Sequence, residues 1–178
     1  MNGPFHGVPE VGKPLARKIV RAIHPCDRLL DVGAGIRPYD HFDARVHLCV
    51  EPHWEYVNVL MEKGYPVIQS PAVDILPSLR NFETILFIDV IEHMVKEDGL
   101  LCVNLASSLA TKQVVIFTPL GFIAQEPTGE GFDPWGYSGW EWQTHRSGWT
   151  PDDFNGWEVE VDETFHGGHG AFFAVLNK

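Results

Sequence analysis

The stretch RLLDVGAG, residues 28–35, decides the fold. An apolar run that ends in an acidic residue and a Gly-x-Gly turn is typical of a buried strand leading into the nucleotide-binding corner of an open α/β sheet. Glycine lets the backbone bend sharply and approach a ligand closely, because it has no Cβ. Asp31, Gly33 and Gly35 are therefore candidate ligand-binding residues.

A second apolar run, residues 46–50, ends in another acidic residue, Glu51. A carboxylate at the end of the neighbouring strand can accept hydrogen bonds from both hydroxyls of a ribose. The glycine pair alone is weak evidence. Together with two acidic strand ends, it predicts a site for a ligand that contains a nucleoside.

Two classes of enzyme share such a corner. A dinucleotide site has a third glycine, where this chain has Pro38, and it places a pyrophosphate at a helix N-terminus. Asp31 would repel a pyrophosphate, whereas it suits a ligand with a cationic ammonium group. A nucleotide-dependent oxidoreductase is therefore the less favoured alternative.

Composition limits the classes of partner. The chain has 178 residues, 44% of them hydrophobic, which predicts one domain over residues 1–178 with a substantial core. A net charge of −11 argues against nucleic acid or an anionic membrane surface as the partner. We see no apolar stretch of the roughly 20 residues that a membrane span needs, and no signal-peptide core. The three cysteines lack paired spacing, so we expect buried thiols in the reducing environment of the cytoplasm. Since the charge disfavours nucleic acid and membranes, we expect the partner to be a small molecule.

Apolar periodicity along the chain predicts alternating strands and helices. Residues 1–12 are rich in glycine and proline and are expected to form a flexible arm, followed by a helix over residues 14–24. Further helices are expected over residues 39–42, 53–63 and 98–111, and further strands over residues 65–69, 82–90 and 114–117. This alternation implies an α/β fold whose parallel strands are covered by helices on both faces.

The C-terminal part changes character. Trp157, Val159 and Val161 alternate with acidic residues, which predicts a strand with one wet face. Residues 166–170 can turn the chain, and residues 171–176 form a second apolar strand. We therefore expect an antiparallel hairpin at the end of a parallel sheet.

Three segments resemble the class I S-adenosylmethionine-dependent methyltransferases. They are LLDVGAGIRPY at residues 29–39, DVIEHM at residues 89–94, and VVIFTPLGF at residues 114–122 together with HRSGWTPDDF at residues 145–154. The second segment is broadly similar to the family that includes the ubiquinone and menaquinone methyltransferases. The resemblance implies a Rossmann-like, doubly wound sheet of about seven strands in the order 3-2-1-4-5-7-6, with an antiparallel last hairpin.

The resemblance also implies S-adenosyl-L-methionine as the cofactor and a role for each strand end. Gly33 and Gly35 would let the backbone pass under the methionine part of the cofactor, and Asp31 would lie near the amino group of that methionine part. The remaining expected contacts are Glu51 with the ribose hydroxyls, Pro52 or His53 with the adenine, Asp74 with the adenine amino group, Ile75 with the adenine ring and Asp89 with the methionine part.

A long segment should select the acceptor. Residues 121–149 follow the fifth predicted strand, and five of the six tryptophans lie between residues 135 and 157. A connection this long is typical of a lid or a binding loop, and its aromatic faces suit a flat, apolar or sugar-like acceptor. The alternative interpretation is a small second core beneath the loop.

Methyl transfer from a sulfonium is an in-line displacement, so positioning can supply most of the catalysis. An oxygen or nitrogen acceptor still has to lose a proton, for which His93 and His145 are the candidate bases. His166 and His169 look like turn residues, and no metal site is predicted. The sequence thus favours a small-molecule methyltransferase, with a non-catalytic S-adenosylmethionine-binding module as the alternative.

Overall fold

A computed structural model describes residue 17 and residues 20–40, 44–125 and 131–178 of the chain. Seven strands form one sheet in the order β3-β2-β1-β4-β5-β7-β6. The strands are β1 Arg28–Val32, β2 Val46–Glu51, β3 Val67–Gln69, β4 Phe82–Ile88, β5 Ala110–Pro119, β6 Glu158–Asp162 and β7 Ala171–Asn177. The fold class and the strand order expected from the sequence are confirmed.

Helices connect these strands. Within residues 44–125 and 131–178 the α-helices are α1 Trp54–Glu62, α2 Ala72–Ile75, α3 Lys96–Leu109, α4 Trp140–Gln143 and α5 Phe165–Gly168. Short 3-10 turns cover Leu76–Ser78, Ile91–His93 and Pro151–Phe154. In the described residues, no helix is long and apolar enough to cross a membrane.

The central strands are buried on both faces, which explains their continuous apolar runs. Leu30 and Val32 of β1 pack into one core with α3, whereas Leu29 packs into a second core on the opposite face of the sheet. Successive side chains of a strand point to opposite faces, so β1 supplies both cores. Strands β1 to β5 pair in parallel, and β7 pairs antiparallel with both β5 and β6.

Several predicted boundaries were wrong. Asp89 has a φ of +62°, so β4 ends at Ile88 instead of residue 90. Helix α3 begins at Lys96, two residues earlier than predicted. It also ends earlier, at Leu109, because Ala110 already pairs with β4 as the first residue of β5. The burial of β6 also differs from the prediction: Val161, on its apolar face, is 40% exposed, because β6 is the edge strand and that face is only partly covered. The turn predicted at residues 166–170 includes part of the short helix α5.

Two N-terminal predictions fall mostly outside the described residues. The arm at residues 1–12 lies outside them. The helix predicted over residues 14–24 is described only in part, and residues 17 and 20–22 of it are helical. A helical turn over residues 39–42 is not formed at Tyr39 and Asp40, and residues 41–43 are not described.

Candidate active site

The carboxyl ends of β1, β2 and β4 meet at one edge of the sheet, because these strands are parallel neighbours. Open α/β sheets bind ligands at this edge, where the strand order reverses. The chain reverses between β1 and β4. Asp31, Glu51 and Asp89 therefore lie on adjoining strand ends.

The glycine turn after β1 has the backbone conformation that the sequence predicts. Gly33 and Gly35 have φ values of +69° and +56°, which L-residues rarely adopt. A Cβ at Gly33 would lie 2.6 Å from Cγ1 of Val90, whereas a Cβ at Gly35 would meet no atom within 4 Å. Gly33 thus permits close packing beneath the turn, and Gly35 faces open space.

Glu51 ties β2 to that turn. Its carboxylate is buried and accepts hydrogen bonds from the backbone N–H of Gly35 and of His53, both at 2.9 Å. Burial outweighs these two bonds and raises the pKa of Glu51 to about 7. Each carboxylate oxygen has a second lone pair, so the group can still accept bonds from a ligand.

Asp31 holds the segment that follows the glycines. Its Oδ2 accepts a hydrogen bond from the backbone N–H of Tyr39 at 2.8 Å and lies 3.1 Å from Nε2 of His47. Asp31 is buried, but it still lines an open pocket beside the glycine turn. Its position therefore combines a structural role with access to a ligand.

Two pockets adjoin at this edge. The first contains about 530 Å³ of empty space, which includes open solvent at its mouth, and is lined by Asp31, the glycine turn and Tyr39. The second contains about 860 Å³ of empty space, which includes open solvent at its mouth, and is lined by Glu51, Pro52, Ala72 and other residues. Gly33, Asp89 and Gln143 line both pockets. An elongated ligand can therefore extend from Asp31 to Glu51 across the end of β1.

Not every predicted contact residue lines this space. In the segment that follows β3, Pro71, Ala72 and Val73 line the larger pocket. Asp74 is exposed, and Ile75 packs against the core. His53 is buried, with Nε2 3.1 Å from Oε2 of Glu55. The adenine contacts assigned to Asp74, Ile75 and His53 remain predictions.

Both candidate histidines lie close together beyond Asp89. Their ring centroids are 5.0 Å apart, and His93 lines the larger pocket. The Nδ1 of His145 donates to the carbonyl of Ile123 at 2.9 Å, and burial lowers the pKa of this imidazole. A ring nitrogen bonded to a carbonyl must carry the proton, so Nε2 of His145 holds a free electron pair.

Glu92 lies beside the two histidines. It is 1% exposed, and its Oε2 accepts a hydrogen bond from Oγ1 of Thr118 at 2.9 Å. Burial and the neighbouring carboxylate of Asp89 raise the pKa of Glu92 well above its usual range. A carboxylate oxygen of Glu92 and one imidazole nitrogen each of His93 and His145 all lie within 4.8 Å of one another.

Backbone bonds hold the two parts of this cluster together. The N–H groups of Arg146 and Ser147 both donate to the carbonyl of Glu92, at 2.7 Å and 3.1 Å. The hydroxyl of Ser147 donates to the carbonyl of Ile91 and accepts a bond from Nε1 of Trp149. The His-x-Ser-x-Trp segment therefore fixes His145 against the end of β4.

Solved structures share this architecture. A methyltransferase described as SAM-dependent, from Archaeoglobus fulgidus, is 14% identical, with a TM-score of 0.63 over 91% of this chain and 90% of that chain. The DhpI–SAH complex is 15% identical, with a TM-score of 0.67 over 92% and 83% of the two chains. The PH0226 protein from Pyrococcus horikoshii OT3 is 12% identical, with a TM-score of 0.62 over 92% and 87%.

This chain has the class I methyltransferase fold. The likeness lies in the three-dimensional structure, since no protein-family model and no curated protein matches the sequence. The methyltransferase fold accounts for the reversed order of the last two strands.

The tryptophan-rich connection of this methyltransferase fold has two different parts. Trp149 is fully buried in the main core, where Lys96 Nζ lies 3.6 Å from the centre of its ring. Trp135 and Trp142 instead line the smaller and the larger pocket. One end of the connection is thus core, and the middle faces the space beside the cofactor edge. Residues 126–130 are not described, so the lid over residues 121–149 remains a prediction.

Side-chain bonds join the middle of this connection to α1. The buried carboxylate of Asp133 accepts bonds from the backbone N–H groups of Trp135 and Tyr137 and from the hydroxyl of Tyr56. Glu55 accepts bonds from the backbone N–H and the hydroxyl of Ser138. Helix α1 directly follows Glu51, so the connection is tied to the strand end that bears this carboxylate.

Sequence reasoning missed several residues at this edge. Glu92 stands between Asp89 and His93 in the DVIEHM segment, and an acidic residue in an apolar run could have indicated a buried carboxyl. Arg146 and Trp142 line the larger pocket without a distinctive sequence signal. Their positions depend on the path of the connection.

Proposed function

We propose that this chain binds S-adenosylmethionine and transfers its methyl group to an oxygen or nitrogen atom of a small molecule. The observation that carries this proposal is the buried carboxylate of Glu51, in the pocket wall beside the glycine turn of a methyltransferase fold. Neighbouring structures include complexes with SAM and SAH. The ribose would donate its hydroxyls to Glu51, and the ammonium group would lie near Asp31.

The acceptor would lie on the side of Asp89 that faces His93. Met94, Val95 and Trp142 give this part of the larger pocket an apolar wall, and Arg146 adds a cationic group. Such a wall suits a flat or apolar acceptor, or a sugar ring that stacks on tryptophan. A net charge of −11 supports a small molecule over a nucleic acid.

The transfer needs the acceptor lone pair in line with the bond from sulfur to the methyl carbon. The lone pair forms the new bond, and the electrons of the broken bond return to sulfur, which leaves S-adenosylhomocysteine. One of His93 and His145 is predicted to accept the acceptor proton, since His93 lines the pocket and His145 contacts its ring.

Calorimetric titration with S-adenosylmethionine, S-adenosylhomocysteine and NAD tests the cofactor. We expect binding of the first two and none of NAD; preference for NAD would support the oxidoreductase alternative. A screen of small acceptors for release of S-adenosylhomocysteine then tests catalysis. Cofactor binding without turnover across that screen would support the non-catalytic module.

A matched pair of variants tests the predicted bases. His145→Ala should lower turnover and leave the affinity for S-adenosylmethionine nearly unchanged, because the proposed cofactor contacts lie on other strand ends. His169→Ala, in the turn before β7, serves as the control. Normal turnover of folded His145→Ala would remove His145 from the catalytic candidates and leave His93.

A further inference from the structure

Glu92, His93 and His145 form a cluster that the sequence does not reveal. The first two residues follow β4, whereas His145 belongs to the tryptophan-rich connection. Their ligand atoms lie within 4.8 Å of one another, on the side of the pocket that is proposed to hold the acceptor. We propose that this cluster is a binding site for one divalent transition-metal cation.

The geometry needs little adjustment to bind an ion. Carboxylate oxygens and imidazole nitrogens bind Zn²⁺ at about 2.0–2.2 Å, so three such atoms around one ion lie roughly 3–4 Å apart. The three side chains already approach this spacing.

The electron pairs have the required orientation at two of the three residues. Nδ1 of His145 donates to the carbonyl of Ile123, which leaves Nε2 as the neutral ligand atom. A metal-binding histidine usually donates its other ring nitrogen in this manner, which fixes both its tautomer and its orientation. Oε2 of Glu92 accepts the bond from Thr118, while its Oε1 is buried and faces away from that hydroxyl.

The surrounding charge also favours a cation. The carboxyl of Asp89 interacts with that of Glu92, and Glu92 in turn lies within ligand distance of both histidines. Two adjacent carboxyl groups in a buried site repel each other when both are ionised. A bound cation would compensate this repulsion, and Asp89 could become a further ligand.

The donor set identifies the class of metal. Two imidazoles and one carboxylate suit Zn²⁺, Mn²⁺, Fe²⁺ or Co²⁺, whereas Mg²⁺ prefers oxygen ligands alone. Three protein ligands leave coordination positions open. An oxygen of the acceptor could occupy one of them, and the metal would make loss of its proton to solvent easier. This catalytic role depends on the proposed methyl transfer, but binding of the metal does not. In the metal-bound protein both histidines would be ligands, so one of them would act as the base only in metal-free protein.

Titration of the chelator-treated protein with Zn²⁺ and Co²⁺ tests the site. We expect one ion per chain and no comparable binding of Mg²⁺. Glu92→Gln keeps the shape of the side chain and should weaken Zn²⁺ binding by more than about 100-fold, since loss of an outer hydrogen-bond partner alone costs 10–100-fold. Loss of one ligand in His145→Gln should have a similar effect.

A second cluster supplies the matched control. Asp31, His47 and Cys49 also lie within ligand distance of one another, so His47→Gln tests the competing site. His47→Gln should bind Zn²⁺ as the unmodified chain does. Loss of binding in His47→Gln, with normal binding in folded Glu92→Gln, would overturn the proposal.

Two further measurements keep the interpretation unambiguous. If Glu92→Gln does not fold, the imidazole NMR signals of the unmodified protein provide the test: those of His93 and His145 should shift with Zn²⁺, and unchanged signals would refute the site. S-adenosylmethionine is titrated separately into metal-free protein. Zn²⁺ binding without cofactor binding would refute the methyltransferase function alone, and the reverse result would refute the metal site alone.

Discussion

The carboxylate of Glu51 accepts a hydrogen bond of 2.9 Å from the backbone N–H of Gly35. This bond joins the end of β2 to the turn after β1 and leaves the Glu51 side chain in the wall of the larger pocket. The same group can thus shape the glycine turn and contact a ligand. Two of the following predictions depend on it.

Glu51→Ala should weaken S-adenosylmethionine binding by a few kcal/mol. The carboxylate would otherwise accept bonds from the ribose hydroxyls, and hydrogen bonds to a charged group contribute about 1.5–3 kcal/mol each. Calorimetric titration measures the change. Glu62→Ala, at the exposed end of α1, is the control and should bind normally. An unchanged dissociation constant in folded Glu51→Ala would refute the assignment.

The stability of the ligand-free protein should fall as pH rises from about 4.5 to 7 because of Glu51. Burial raises its pKa from 4.5 to about 7 in the folded state. The folded protein therefore holds a proton that the unfolded chain releases, so this contribution is complete below pH 4.5 and is lost by about pH 7. The loss amounts to at most about 3 kcal/mol.

Urea unfolding of the unmodified protein and of Glu51→Gln across this pH range measures that contribution. Glutamine does not titrate, so the variant should show a smaller fall in the free energy of unfolding. Identical slopes for the two proteins would mean that the pKa of Glu51 is the same in the folded and unfolded states.

Gly99→Ala should destabilise the protein although alanine favours helices. A Cβ at Gly99 would lie 2.6 Å from Cζ2 of Trp149, which is fully buried. Overpacking costs about 1–3 kcal/mol and exceeds the helix-propensity gain of about 1 kcal/mol. Thermal unfolding should show a lower melting temperature. Asn104→Ala, on the exposed side of α3, is the control and should leave it equal or higher.

Tyr56→Phe should loosen the connection between β5 and β6. Its hydroxyl donates to the buried carboxylate of Asp133, and loss of such a bond costs about 1–3 kcal/mol. We expect a lower melting temperature and faster proteolysis within residues 131–145. Tyr65→Phe removes a hydroxyl bonded to Asp40 at an exposed site and should have little effect. Equal proteolysis of both variants would argue against a role for Tyr56.

The sequence by itself determined the edge of the sheet that carries the candidate cofactor site, whereas the strand order was implied by the resemblance to class I methyltransferases. Continuous apolar runs indicate strands buried on both faces, and each run that ends in Asp31, Glu51 or Asp89 places its carboxylate at a strand end. Parallel pairing brings those ends together. The position of this edge depends on local pattern and on general rules of strand pairing.

Only the tertiary structure decided which distant side chains meet. Trp149 enters the core against Gly99, His145 lies beside Glu92 and His93, and Asp74 is exposed on the short helix α2. Local periodicity carries no information on these contacts, because they depend on the path of a long connection. That path is set by bonds between distant residues, such as those from Arg146 and Ser147 to the carbonyl of Glu92.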